Sequence, residues 1–254
     1  MSTGPILLIL GGTTEARLLA HAVADAGLKA IYSYAGRTKL PEPLPVPTRI
    51  GGFGGPDGLA DYIGQAGVTH IIDATHPFAE TMSKNAVLAA ARLARPLLAL
   101  TRPPWKAHAR DTWIHAPDME SAVAALDTDP QRVFLAIGRK EIARFAQQPQ
   151  HHYLLRLVDA PSSPPPLPHH DIVVAKGPFN VEADRALLLK YGIGLIVSKN
   201  AGGTGARAKL EAARGLDIPV LMVDRPRLPK REEVHSVDDA IAWVQSHSGT
   251  LRGV

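Results

Sequence analysis

The sequence predicts an α/β protein made of two doubly wound, parallel-sheet domains, and three observations carry that expectation. Short apolar runs of strand length alternate with helix-periodic segments from one end of the chain to the other. The runs are unbroken Ile, Val and Leu, the pattern of parallel strands buried on both faces. Glycine turns stand where strands pass into helices, Gly11-Gly12 in the first half and Gly202-Gly203 in the second, which makes both domains Rossmann-like.

In order along the chain, Ile6 to Leu10 forms the first strand, and Glu15 to Ala26 follows as a helix with Ala16, Leu19, Ala20 and Val23 at helical spacing before Gly27. A second strand spans Ala30 to Ala35. Pro41 to Pro47 holds four prolines and predicts an irregular loop. A short piece around Arg49-Ile50, a glycine loop over 51–55 and a helix from Asp57 to Ala66 lead to the strand Val68 to Asp73. The helix Ala79 to Ala94 and the strand Pro96 to Thr101 complete the first series. Arg102-Pro103-Pro104-Trp105 interrupts the pattern, so the domains are expected at 1–103 and 104–254, with a cleft between them. The second series predicts strands near Trp113 to His115, Val133 to Ile137, Tyr153 to Val158, Ile172 to Ala175, Gly194 to Ser198 and Pro219 to Val223. Its helices are expected near Asp118 to Leu126, Glu141 to Gln147, Val181 to Tyr191, Ala206 to Arg214 and Val237 to Ser246. Pro161 to Pro168, with five prolines in eight residues, reads as an extended loop.

Composition narrows the chemistry. Among 254 residues there is no cysteine, which removes disulfides, thiolate metal sites and cysteine nucleophiles. Lys and Arg exceed Asp and Glu by 28 − 24 = 4, a mild preference for anionic partners and too small an excess to indicate nucleic acid. No apolar run approaches the ~20 residues that span a bilayer. Residues 1–20 lack a basic leader followed by a cleavage site, so a cytoplasmic protein with no membrane partner is expected.

The candidate sites lie at strand ends. Gly11-Gly12-Thr13-Thr14-Glu15 joins a strand to a helix and presents backbone N–H groups that suit a pyrophosphate; a tight turn without ligand is the other reading. A NAD site places an acidic residue after the second strand. Tyr32 to Lys39 has none and instead offers Arg37, with Ser33 and Thr38, for a 2′-phosphate, so NADPH is expected over NADH. Asp73-Ala74-Thr75-His76 follows another strand and is assigned to the cofactor. In the second half, Lys199, Asn200, Gly202, Gly203, Thr204 and Lys209 form a dense basic glycine loop suited to carboxylates or phosphates, and Lys176, Gly177 and Phe179 end another strand. No metal site is expected: His151-His152 and His169-His170 lack helical spacing and read as solvated loops.

Gly11 to Ala16, Asp73 to Ala79, Arg102 to Trp105, Lys176 to Phe179, Ser198 to Gly203 and Ile218 to Pro226, in this order, resemble the precorrin-6A reductase family of cobalamin biosynthesis, over nearly the whole chain. The resemblance implies NADPH-dependent reduction of a tetrapyrrole macrocycle, precorrin-6A or its cobalt form, by hydride delivery to a ring carbon and protonation at a neighbour. Under it, Arg102, Trp105, Lys176, Phe179 and the Lys199 to Lys209 loop are assigned to the substrate. Lys199 would orient or polarise the substrate, and His76 or Tyr34 would deliver the proton. Other enzymes of the corrin pathway are the macromolecular partners in view. A nucleotide-sugar transferase and a non-catalytic NADP(H)/tetrapyrrole sensor are the alternatives.

Overall fold

The computed structural model describes residues 4–34 and 43–250, with side chains through residue 247. Two compact units divide the chain, one made of Met1–Arg102 and Arg227–Val254, the other of Pro103–Pro226. The C-terminal segment, expected in the second domain, therefore belongs to the first unit.

In the first unit the strands are β1 (Ile6–Leu10), β2 (Lys29–Tyr34), β3 (Thr48–Ile50), β4 (His70–Asp73) and β5 (Leu97–Leu100), with helices α1 (Thr14–Asp25), α2 (Pro56–Gln65) and α3 (Glu80–Arg92) between them. In the second unit the strands are β6 (Trp113–Ala116), β7 (Arg132–Ala136), β8 (His152–Leu157), β9 (His170–Val174), β10 (Leu195–Lys199) and β11 (Val220–Val223). Its α-helices are α4 (Met119–Ala124), α5 (Val181–Lys190) and α6 (Ala208–Arg214). The expected helix at Glu141 to Gln147 is instead a 3₁₀ helix, Arg139–Gln147. The chain then returns to the first unit as β12 (Glu232–Val234) and α7 (Val237–Thr250).

Every strand pair is parallel, in the orders β12-β5-β4-β1-β2-β3 and β6-β11-β10-β7-β8-β9. The first sheet thus has the doubly wound order 3-2-1-4-5-6, and the second has the same layout except for the strand in its sixth place. In the first the sixth strand is β12, which pairs Glu232 with Leu98 and Val234 with Leu100. In the second it is β6, which precedes the other five. The direction of winding reverses between β1 and β4 in one unit and between β7 and β10 in the other, and ligands of open α/β sheets bind beyond the carboxyl ends of the strands at such points.

The central strands of each sheet are buried because their side chains are largely apolar on both faces. Leu7 and Ile9 of β1 pack with Leu19, Val23 and the α7 residues Ala240, Trp243 and Val244 on one side, while Leu8 and Leu10 pack with Leu59, Ile63 and Ala86 on the other. In the second unit Phe134, Leu154, Ile196 and Met222 meet Leu188 and Leu210. One expectation fails: His151 is fully buried rather than solvated, and burial holds its imidazole below the ordinary histidine range. His152 pairs with Asp171 at 2.7 Å, and His170 bonds the Leu167 carbonyl; of the four, only His169 is exposed.

Candidate functional site

In the first unit the reversal point is tied together by Thr13. Its hydroxyl caps α1 by accepting the Ala16 N–H at 3.1 Å and donates to the Ala74 carbonyl at 2.8 Å, so the turn after β1 is fastened to the turn after β4. Such a cap leaves the first-turn N–H groups of Thr14 and Glu15 without partners inside the helix, at its positive end. Gly11 is required by close approach: a Cβ there would lie 2.1 Å from the Tyr32 ring. The Tyr32 hydroxyl in turn accepts the Gly12 N–H at 2.9 Å, so that donor is already used. The Glu15 carboxylate lies 3.6 Å from Arg102, which sits in the first unit beside the predicted cofactor turn.

Asp73 proves to be an organiser. It is buried, and its two oxygens accept from the Thr75 N–H at 3.1 Å, the Thr75 hydroxyl at 2.6 Å, the Ser83 hydroxyl at 2.6 Å and the Arg231 guanidinium. These contacts use the carboxylate internally and hold the Thr75-His76 turn in place. Ala74 is buried as well. His76 is exposed, and its Nδ1 accepts the Phe78 N–H at 3.2 Å, which puts the proton of the neutral ring on Nε2. Tyr34 is buried with its ring 4.5 Å from that of Tyr32. Arg37 and Thr38 lie outside the described residues. Ser33 accepts a hydrogen bond from Arg49 at 2.9 Å. Nothing in the sequence distinguishes Arg49, an arginine on a three-residue strand; the register that sets it opposite Ser33 is a tertiary fact.

In the second unit the reversal point is bridged by an ion pair. Lys199, at the end of β10, lies 3.1 Å from Glu141, in the 3₁₀ helix after β7. Burial alone would raise the Glu141 carboxyl, but the hydrogen bond and charge of Lys199, reinforced by Arg144, hold it below the ordinary range. Glu141, noticed in the sequence only as a helix residue, is therefore Lys199's partner.

The rest of the glycine loop is committed to fastening residues 103–105. Asn200 accepts the Trp105 N–H at 2.8 Å and donates to the Trp105 carbonyl at 3.1 Å. Gly203 O accepts the Trp105 indole N–H at 2.7 Å. Gly202 adopts φ 71° with the Pro103 carbonyl 2.2 Å from where a Cβ would stand, so no other residue fits. Arg225 donates to the carbonyls of Asn200 and Ala201. Lys209, expected at the substrate, is instead buried: its Nζ donates to Ala206 O at 2.6 Å and lies 4.8 Å from the Trp105 ring centroid. Burial, with Arg156 nearby, pushes its ammonium down to about 7. Phe179 lies 3.7 Å over the Arg156 guanidinium, and Lys176, Gly177 and Thr204 are exposed. A cavity of about 370 Å³ in this unit is lined by Pro103, Trp105, Trp113, Thr204 and Arg207 among others.

Among the described residues, no group of three or more His, Asp or Glu is placed to hold a metal ion, and no helix is long and apolar enough to cross a membrane.

The chain is 54% identical over 248 residues to the precorrin-6A reductase of Rhodobacter capsulatus, covering 98% of this chain and 99% of that one. It is 32% identical over 236 residues to the cobalt-precorrin-6A reductase of Priestia megaterium, covering 88% and 91%. A solved structure titled CobK precorrin-6A reductase superposes with TM-score 0.90 at 53% identity, covering 96% of this chain and 97% of that one. The family model described as precorrin-6x reductase CbiJ/CobK matches residues 6–245, and with these likenesses it shows that the chain belongs to the precorrin-6x reductase family.

Proposed function

We propose that this protein reduces the precorrin-6A macrocycle in cobalamin biosynthesis with NADPH as reductant, one hydride going to a ring carbon and one proton to a neighbour. The observation that carries the reading is the 54% identity, end to end, to a precorrin-6A reductase. The stronger likeness to that enzyme than to the cobalt-precorrin-6A reductase at 32% favours the metal-free macrocycle as substrate.

The residues at the first reversal point fit a dinucleotide phosphate. The Thr13 cap leaves first-turn N–H groups for an anion at the start of α1. Arg102 offsets the Glu15 carboxylate, which would otherwise repel that anion. NADPH supplies the hydride when bound, so this chain's residues position, polarise and protonate. Asp73 fixes the turn that carries Thr75 and His76 and itself accepts the Thr75 hydroxyl hydrogen bond, which leaves His76 Nε2 as the side-chain donor of that turn for a substrate. At the second reversal point, Glu141 holds the Lys199 amino group at 3.1 Å, at a strand end where it can meet a carboxylate or carbonyl acceptor. The exposed Lys176 adds a second cation for an acidic macrocycle. Asn200, Gly202, Gly203, Trp105 and Lys209 support the loop from within.

The test is anaerobic single turnover with NADPH and precorrin-6A, followed by the absorbance of both. The expected result is NADPH oxidation only when the macrocycle is present, with one NADPH consumed per ring reduced; oxidation without it, or none with it, would overturn the reading. Lys199→Ala is expected to slow the reduction by about 10²- to 10⁴-fold while NADPH binding stays within about twofold, since Lys199 belongs to the second unit.

A further inference from the structure

We propose that Arg49, seated by Ser33 and backed by Phe53, is the residue that selects a phosphorylated dinucleotide by taking its 2′-phosphate. The proposal rests on the NADPH reading above.

The register of the first sheet sets up the argument. Leu10 of β1, the residue before the glycine turn, pairs with Ser33 of β2, and Ser33 pairs with Arg49 of β3. These three form a row across the carboxyl edge, running outward from the pyrophosphate turn. In a sheet of this order the adenosine half of a dinucleotide extends from the first strand across the second, and its ribose meets the residue at the second strand's end. There an acidic side chain accepts the hydroxyls of NADH, and an arginine takes the phosphate of NADPH. The row holds no acid among its described residues: β2 closes with Tyr32, Ser33 and Tyr34, and β3 is Thr48, Arg49 and Ile50.

The guanidinium is pre-placed for the task. Nη1 donates to Ser33 Oγ and to Gly51 O, each at 2.9 Å, and Nη2 donates to Gly52 O at 3.1 Å. A guanidinium has five N–H donors, so among the described contacts the Nε–H and one Nη2–H remain, the pair that can fork onto two oxygens of one phosphate. Ser33 Oγ, as acceptor from Arg49, keeps its own proton to donate. Phe53 lies 3.8 Å from the guanidinium carbon and Tyr62 lies 5.0 Å from it, which fixes its plane and reduces the entropy lost when it closes on an anion. No described carboxylate pairs with this half-buried cation, although most of the other buried or half-buried arginines near the sheet ends have one, such as Arg231 with Asp73 and Arg156 with Asp184.

The test is calorimetric binding of NADP⁺, NAD⁺ and 2′,5′-ADP to the full chain, its Arg49→Ala variant and its Arg49→Lys variant. Arg49→Ala is expected to weaken NADP⁺ and 2′,5′-ADP by about 10- to 100-fold and NAD⁺ by less than about twofold, with Arg49→Lys in between. Equal weakening of NADP⁺ and NAD⁺ would mean that Arg49 merely supports the loop, and unchanged NADP⁺ binding would remove it from the site; either overturns the proposal. Should Arg49→Ala fail to fold, Arg49→Lys still decides, because it keeps the charge but loses the fork and so must lose NADP⁺ preferentially. If the unaltered protein binds NAD⁺ as tightly as NADP⁺, the NADPH reading itself falls, and this proposal falls with it.

Discussion

Tyr32 explains why the turn after β1 reads Gly-Gly-Thr rather than three spaced glycines. Its ring occupies the space beside Gly11, and its hydroxyl takes the Gly12 N–H, so the turn is closed by a side chain twenty residues away. Burial raises the phenol, although the Gly12 hydrogen bond opposes this, so Tyr32 stays neutral at ordinary pH. Tyr32→Phe keeps the ring and removes the acceptor, and because Gly12 is exposed and its N–H can turn to water, it is expected to lower unfolding free energy by about 0.5–1.5 kcal/mol, the net worth of an ordinary hydrogen bond. Gly11→Ala is expected to do more harm, because its Cβ has nowhere to go unless ring or backbone moves. Urea unfolding of the two variants checks both, and a Gly11→Ala protein as stable as the parent would show that the ring yields freely. The glycines and the lack of an acid after β2 were legible in the sequence because both are local. Tyr32 over Gly11, Ser33 against Arg49 and Glu141 against Lys199 were not, since each pair depends on strand register or on winding order.

At the scale of elements, α6 shows the same division. Its length and place after β10 follow from apolar spacing, and the turn before it reads plainly as a strand-to-helix junction. What the pattern does not reveal is which way Lys209 faces. A basic residue after a glycine turn suggests an anion site, yet Trp105 docks on the loop and seals Lys209 beneath it. A lysine buried with its ammonium pushed down to about 7 leaves a pH signature. Between about 7 and the unfolded value near 10.4, the unfolded chain carries a proton that the folded chain has shed, so stability rises with pH over that interval. Below pH 7 the lysine is charged in both states and the full penalty applies. Lys209→Met fills similar space without a charge to desolvate, and it is expected to exceed the parent in stability at pH 7.5, with the margin shrinking by about 2–3 kcal/mol at pH 9.5. Titration of other groups cancels in the difference. Denaturant midpoints at the two pH values give the result, and a margin independent of pH would show that Lys209 keeps its proton when folded.

On the scale of the whole molecule, the sequence suggested two domains in series, because the strand–helix alternation resumes after Trp105 and runs to the end. That reading misplaced residues 227–250, whose β12 is a three-residue strand, Glu-Glu-Val, with no apolar run to announce it. The structure makes each sheet take its sixth strand from an outlying segment, β12 in one unit and β6 in the other. The first unit therefore needs both ends of its chain. Without residues 227–250, β5 would lose one of its two neighbours and become the sheet edge, and the face of β1 and α1 covered by Ala240, Trp243 and Val244 would be bared. Fully burying each large apolar side chain contributes about 1.5–3 kcal/mol. Asp73 would also lose Arg231, and removing one partner of a buried ion pair costs about 3–5 kcal/mol. Together these are comparable with the roughly 5–15 kcal/mol that holds a domain folded. The second unit, with its own sheet complete within Pro103–Pro226, has no such debt. Residues 103–226 produced alone are expected to unfold cooperatively on heating, residues 1–102 alone to lack a cooperative transition, and residues 1–102 joined by a short flexible linker to 227–254 to regain one. A cooperative, native-like 1–102 fragment would show that the returning segment is dispensable to the first sheet.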